Sequence, residues 1–223
     1  RNIMKLESTD GVMKAVEEAC ATSFEHKAII EEYLDGDEYS METISYCGEH
    51  HYLATTKKFT TGAPHFIETG HCQPSGLSEE ILAKSKNNIM KALTALHIEN
   101  SAGHSEFKVD KNGNINIIEI GARMGGDCIG SDLVYLSTGN DFMKMVIDVA
   151  TDNKPNVLDC PKNNNVTIKF IFTESDIDEM NKLKEKHPEI IYRISDLEIE
   201  NLGNTLDSSS RVGYYILYWG IRW

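Results

Sequence analysis

HSEFKVDKNGNINIIEIGARMGGD, residues 104–127, decides how this chain is read. Two β-rich runs flank Asp110-Lys111-Asn112-Gly113, a hairpin signal, and each run carries one glutamate. If residues 110–113 form the loop, Val109 faces Asn114 and Glu106 faces Ile117. Side chains alternate along a strand, so Glu119 shares a face with Ile117. Glu106 and Glu119 then become diagonal neighbours on one face, within reach of a single cation. A slip of one residue would send them to opposite faces. His104 is expected opposite Glu119, on the same side.

Two carboxylates on one sheet face repel unless a positive charge lies between them. A hard cation such as Mg2+ takes oxygen ligands, keeps several waters and bridges to phosphates. Arg123, Gly125 and Gly126 follow directly. A guanidinium suits phosphate or carboxylate oxygens, and glycines let backbone N–H groups approach an anion. The order suggests a metal–nucleotide site; a solvated hairpin with two surface glutamates is the plainer alternative. GARMGG lacks the Lys-Ser/Thr of a P-loop.

The segment resembles the metal-binding core of the ATP-grasp superfamily, whose members join a carboxylate to an amine through an acyl phosphate. The resemblance runs from about Met13 to about Ala150 and is nearest the carbamoyl-phosphate-synthase-like and L-amino-acid-ligase-like branch. IIEEYLDGDEYSMET, residues 29–43, is similar to the adenine-hinge strand and the Gly-x-Glu after it. FIETGHCQPSGL, residues 66–77, is similar to the substrate-side loop of amino-acid ligases. The implied fold is α+β: the C-terminal lobe of an ATP-grasp domain, an antiparallel sheet flanked by helices, over residues 1–153, with a small α+β lobe over 154–223. The resemblance also implies that the chain begins in mid-domain, with the phosphate loop and nucleotide lobe upstream.

The resemblance assigns roles residue by residue. Glu106 and Glu119 would hold metal, and Arg123 would stabilise the transferring phosphoryl group. Glu31 or Glu32 would accept from the adenine amino group while backbone groups of Tyr33 and Leu34 read the ring edge. Glu38 would accept from ribose hydroxyls, and Lys58 or its neighbour Lys57 would reach a terminal phosphate. Glu68 would read a substrate ammonium, His71 would lie beside the reacting carboxylate, and Gly126 would offer its backbone to substrate. Gly121 stands where many family members carry a third metal-binding asparagine. ATP and Mg2+, with Mn2+ as a substitute, are the expected cofactors. A biotin-carboxylase-like or carbamoyl-phosphate-synthase-like enzyme, or a non-catalytic binding module, are the competing readings.

Composition fits a globular enzyme piece, with 40% hydrophobic and 26% charged residues. A net charge of −13 argues against nucleic-acid or anionic-membrane surfaces. The expected partner is a small carboxylate or amino acid, with room for a homodimer. Cys20, Cys47, Cys72, Cys128 and Cys160 are odd in number and contain no CxxC pair, so reduced thiols and a cytoplasmic setting are expected. No apolar run approaches membrane-spanning length.

Helical spacing predicts helices from Val12, from Ser78 to about His97 with Ile81, Leu82, Ile89, Leu93 and Leu96 inward, over 141–149, and over 175–186. Strands are expected over 27–33, 38–46, 52–59, 166–172, 190–194 and 211–218. Residues 60–64 read as a loop, with Pro64 and Pro74 stiffening the segment around Glu68 and His71. His50-His51 reads as an exposed turn rather than a metal site.

Overall fold

A computed structural model describes residues 3–63, 66–204 and 210–220. Eight strands form one antiparallel sheet: β1 (Asp37–Tyr46), β2 (Glu49–Thr60), β3 (Glu68–Gln73), β4 (Ser101–Val109), β5 (Ile115–Gly121), β6 (Asn165–Ile171), β7 (Ile191–Ile194) and β8 (Gly213–Trp219), in spatial order β5-β4-β1-β2-β3-β6-β8-β7. Among the described residues five α-helices accompany it: α1 (Val12–Thr22), α2 (Glu79–Ala95), α3 (Val134–Thr138), α4 (Phe142–Ala150) and α5 (Glu174–Lys186). No helix among the described residues is long and apolar enough to cross a membrane.

Helices α2, α4 and α5 each start where a side chain can accept an orphan N–H. Ser78 Oγ caps α2 through Ile81 N–H, Asp141 caps α4 through Lys144 N–H, and Thr173 with Asp176 forms a capping box on α5. Helix α2 buries Ile89 and Leu93 against Tyr39, Met41 and Phe107. On the same face, α5 lays Met180 on Ile171, Tyr215 and Leu217. The opposite face is covered by α3 and α4 around Ile44, Ala102 and Phe142, and by residues 129–136 around Val166, Ile168 and Ile216. Each fully buried Leu, Ile or Phe contributes roughly 1.5–3 kcal/mol. Between these apolar zones the second face is polar, and there the charged side chains gather.

Several expectations are corrected. The run 27–33 is extended but unpaired: Ile29 is 84% exposed, and no described strand lies beside it to take its hydrogen bonds. Glu68–Gln73 is a full strand between β2 and β6, not a loop. His50 and His51 lie within β2, where His50 bridges Ser45 Oγ and Thr94 Oγ1. Leu96, just past α2, is exposed. Pro64 lies outside the described residues. The proposed division at 153/154 falls in an irregular connection, and β6 beyond it pairs directly with β3.

The hairpin register differs from expectation at two places. Asp110 accepts from Asn112 N–H and Asn114 N–H, making a five-residue turn in which Val109 pairs with Ile115. The ladder then shifts again, from Phe107–Ile117 to Glu106–Glu119, leaving Ile118 as a bulge. The two slips together place Glu106 and Glu119 directly opposite one another on one face. His104 pairs with Gly121 rather than Glu119.

Candidate functional site

Four neighbouring strands, β4, β1, β2 and β3, project a continuous polar row from one face. The cross-strand pairs are Glu106–Ser40, His104–Glu42 and Lys58–His71. Glu68 joins this row only because β3 bulges at Thr69, between the pairs Phe59–Gly70 and Thr60–Glu68. Without that bulge, residues three apart such as Glu68 and His71 would point to opposite faces.

Lys58 is the hub. Its Nζ lies 2.6 Å from Glu106 Oε1, 3.1 Å from Glu38 Oε1 and 3.7 Å from Glu68 Oε1, and the residue is 7% exposed. Burial opposes its charge, but Glu106, Glu38 and Glu68 outweigh burial and hold the ammonium protonated well above its ordinary pKa. Glu106 Oε1 also takes His104 Nε2 at 3.1 Å, while His104 Nδ1 meets Glu42 at 2.5 Å. Burial works against the imidazolium, yet the hydrogen bonds to Glu106 and Glu42 raise His104 to about 9. For Glu106 burial favours the neutral acid, but His104 and Lys58 lower it to about 2. The Glu106 carboxylate is therefore ionised at neutral pH and keeps Oε2 clear of both partners.

Glu42 was invisible to pattern reading. It is fully buried and accepts from His104, from Gly125 N–H at 3.0 Å and from Ser40 Oγ at 3.3 Å. Gly125 is required here: a Cβ would fall 2.8 Å from His104 Nδ1 and 3.1 Å from both Glu42 oxygens. At Gly126, expected to face substrate, a Cβ would meet nothing within 4 Å.

A second cluster adjoins the first. Arg211, from the loop before β8, places Nη2 3.1 Å from Glu68 Oε2 and Nη1 2.9 Å from Asp127 Oδ1. Asp127 Oδ2 lies 3.4 Å from His71 Nε2. Burial would raise the Asp127 pKa, but His71 and Arg211 hold it well below the usual carboxylate range. The guanidinium stacks 3.6 Å above the Phe170 ring, which His71 meets edge-on at 5.4 Å. Asp127 and Cys128 both adopt left-handed backbone (φ 51° and 62°), which turns the chain out of the glycine loop. Asp127 and Arg211 carry no local sequence signal; Arg211 meets Glu68 from 143 residues away.

The remaining expected residues lie at the rim. Glu119 is exposed, and Arg123 Nη2 approaches it at 3.9 Å while Nη1 donates to the Met124 carbonyl. Glu31 and Glu32 are exposed. Glu32, Tyr33 and Leu34 form one wall of an open cleft of about 320 Å³ whose other wall is the hairpin turn, Asp110–Asn112 with Asn116. Lys108 Nζ donates to the Leu34 carbonyl at 2.9 Å, tying this wall to β4. Lys57 points to the other face and pairs with Asp37.

Among the described residues no group of three or more His, Cys, Asp or Glu side chains is placed to hold a metal ion. The opposed Glu106 and Glu119 fit a cation that draws its other ligands from water and phosphate, as Mg2+ does. Chemically, the face offers two opposed carboxylates, a buried lysine and a largely buried arginine beside an open cleft.

The ATP-grasp domain family matches residues 5–132 of this chain. Alanine–anticapsin ligase of Bacillus subtilis (strain 168) is 34% identical over 149 residues, covering 61% of this chain and 31% of that protein. This chain thus spans about a third of that relative's length. Phosphoribosylglycinamide synthetase from Anaerococcus prevotii superimposes with a TM-score of 0.70 at 20% identity, over 95% of this chain and 55% of that one. L-amino acid ligase from Bacillus licheniformis gives a TM-score of 0.65 at 22% identity, over 83% of this chain and 49% of that one. At these identities the two structures speak to the fold.

Proposed function

The chain belongs to the ATP-grasp domain family, and from that premise we propose that it forms part of the active site of an ATP-dependent ligase joining a carboxylate, activated as an acyl phosphate, to an amine. The observation that carries this reading is the direct opposition of Glu106 and Glu119 across β4 and β5, with Glu106 held ionised by Lys58 and His104. A Mg2+ ion held there, or Mn2+ in its place, would draw charge from the phosphate oxygens of bound nucleotide.

The protein's work in this reading is positioning and charge stabilisation. The γ-phosphoryl group passes from ATP to a substrate carboxylate oxygen. The amine nitrogen then attacks the acyl carbon, the C–O bond to phosphate breaks, and the amine releases a proton. Arg123, exposed at the mouth of the face, stabilises the transferring phosphoryl group. Lys58 sits where its ammonium can leave Glu38 or Glu68 for a terminal phosphate. Glu32, Tyr33 and Leu34 flank the cleft that takes the base, with Glu31 beside them and Glu38 towards the ribose. Glu68 and His71 face an amino-acid substrate. A cytoplasmic homodimer acting on an amino acid, with residues 154–223 as a small α+β part whose β6 continues the main sheet, completes the reading.

The test is ADP release by the full-length protein across amino acids, simple carboxylates and bicarbonate. Turnover with amino acids, lost in Glu106→Ala, supports the assignment. Turnover with bicarbonate and with no amino acid sinks the amino-acid assignment; no ATP consumption with any carboxylate sinks the ligase reading.

A further inference from the structure

Arg211 lies well beyond the segment that matches the family, residues 5–132, yet its guanidinium sits inside the polar face. Its side chain is 9% exposed, against 28% for Glu68. Arginine carries five N–H donors and no acceptor. Here Nη1 serves Asp127 and Nη2 serves Glu68, while Nε is buried with no hydrogen-bond partner among the described residues. The buried His71 Nδ1, on the ring that shares Phe170 with Arg211, is in the same condition. A buried polar atom without a partner costs free energy, so native proteins rarely leave one without reason. Two such atoms beside one carboxylate–guanidinium pair mark a place where a ligand's polar atoms are missing.

We propose that Glu68 and Arg211 together form a receptor for a free α-amino acid, in which the guanidinium takes the α-carboxylate and Glu68 takes the ammonium. The proposal rests on the ligase reading above and adds the residue that reads the acid end of the substrate. A zwitterion inserted into the Glu68–Arg211 pair exchanges one ion pair for two and brings no net charge into a partly buried site. A bare carboxylate would occupy Arg211 and leave Glu68 with only Lys58, at 3.7 Å. A bare amine would leave Arg211 to Asp127 alone. The planar fork of the guanidinium suits a carboxylate in a way a point charge does not. Asp127 holds the fork from its far side, and the Phe170 ring fixes its plane, so the receptor is organised before substrate arrives.

The experiment uses the full-length protein and two readouts, ADP release and calorimetric binding, with the twenty protein amino acids and the N-acetyl derivative of the best of them. Arg211→Gln is expected to raise the KM for the amino acid roughly 10- to 100-fold, the range for losing a hydrogen bond to a charged group, with the KM for ATP unchanged. Arg211→Lys should fall between Gln and wild type, because charge is kept and the fork is lost. The N-acetyl derivative, lacking the ammonium, should neither bind nor turn over; this arm needs no variant and stands even if Arg211→Gln fails to fold. An amino-acid KM within twofold of wild type in Arg211→Gln would overturn the proposal, as would equal use of the N-acetyl derivative. Absent ADP release, with amino-acid binding intact and lost in Arg211→Gln, would sink the ligase reading and leave the receptor standing.

Discussion

Glu42→Gln tests the buried chain that fixes Glu106. The Glu42 carboxylate is fully buried, and its three partners, His104 Nδ1, Gly125 N–H and Ser40 Oγ, all donate to it. A carboxamide must turn its NH2 towards one of those donors. One hydrogen bond is lost, a donor faces a donor, and the imidazolium loses one of its two charged partners. An unsatisfied buried donor costs about 1–3 kcal/mol, and stripping one partner from a buried ion pair about 3–5 kcal/mol. The expected loss of stability is about 3 kcal/mol at pH 5.5.

The pH dependence gives the sharper readout. His104 rises from an ordinary 6.5 to about 9 in the fold, so the charged form is favoured there, by roughly 3 kcal/mol. That stabilisation is fully present below about pH 6.5 and is lost as pH climbs through about 9. Glu106 behaves oppositely. Its pKa falls to about 2, so its contribution is present above the ordinary 4.5 and is lost as pH drops through about 2. Wild type should be most stable between these limits, with an alkaline decline belonging to His104. In Glu42→Gln the decline should begin at lower pH, while the acid side, secured by Lys58, keeps its place. Urea unfolding followed by circular dichroism at pH 5.5, 7, 8 and 9, in chelator, measures both. A variant within 1 kcal/mol of wild type at pH 5.5 refutes the reasoning, and so does an unmoved alkaline decline.

Gly125→Ala should destabilise by about 1–3 kcal/mol because its Cβ meets the buried His104–Glu42 pair, whereas Gly126→Ala should be near neutral; equal effects in thermal melts would contradict the packing. Glu106→Ala and Glu119→Gln should each weaken Mn2+ binding by at least tenfold in a paramagnetic titration with nucleotide present, and an unchanged titration in either would remove that residue from the metal site. Asp132 is 5% exposed and takes both terminal nitrogens of Arg193 on β7. Asp132→Asn should cost about 2 kcal/mol after allowing for the exposed arginine, and hydrogen exchange should quicken in β7 first.

Much of the fold was legible because its signals are local. The cap at Ser78, the apolar spacing of α2 and α4, and the turn signal at Asp110–Gly113 each depend on residues within a few positions. What escaped depends on distant partners. The run at Ile29 and Ile30 has strand composition, but a strand needs a neighbour, and none of the described strands lies there. Glu42 looks like a solvent-facing glutamate in an alternating strand; it is buried because His104 and Gly125 come to it from more than sixty and eighty residues away. Arg211 reaches Glu68 only once the sheet has brought β3, β6 and β8 together.

The bulges explain why Glu106 and Glu119 share a face although the register differs from the expected one. The expected hairpin put Glu106 and Glu119 on one face by simple alternation. The real turn is one residue longer, which alone would have sent Glu119 to the α2 side, and the extra residue at Ile118 brings it back. At β3 the extra residue is Thr69, and it turns Glu68 to the side of His71 and Lys58. A third irregularity, opposite Glu42 and Thr43, falls at Leu53 of β2, again beside the polar row. Strict period-two pairing would send Glu68 and Glu119 to the other face, so these two join the polar row because the sheet is irregular there. Bulges re-aim side chains and concentrate near active sites. Deleting Ile118 should therefore do what no point substitution at Glu119 does. It should leave β4 and β5 paired, as read by circular dichroism and amide exchange, yet abolish the second carboxylate's contribution to Mn2+ binding by facing it towards α2. Full metal affinity in that deletion would show that the bulge has no part in presenting Glu119.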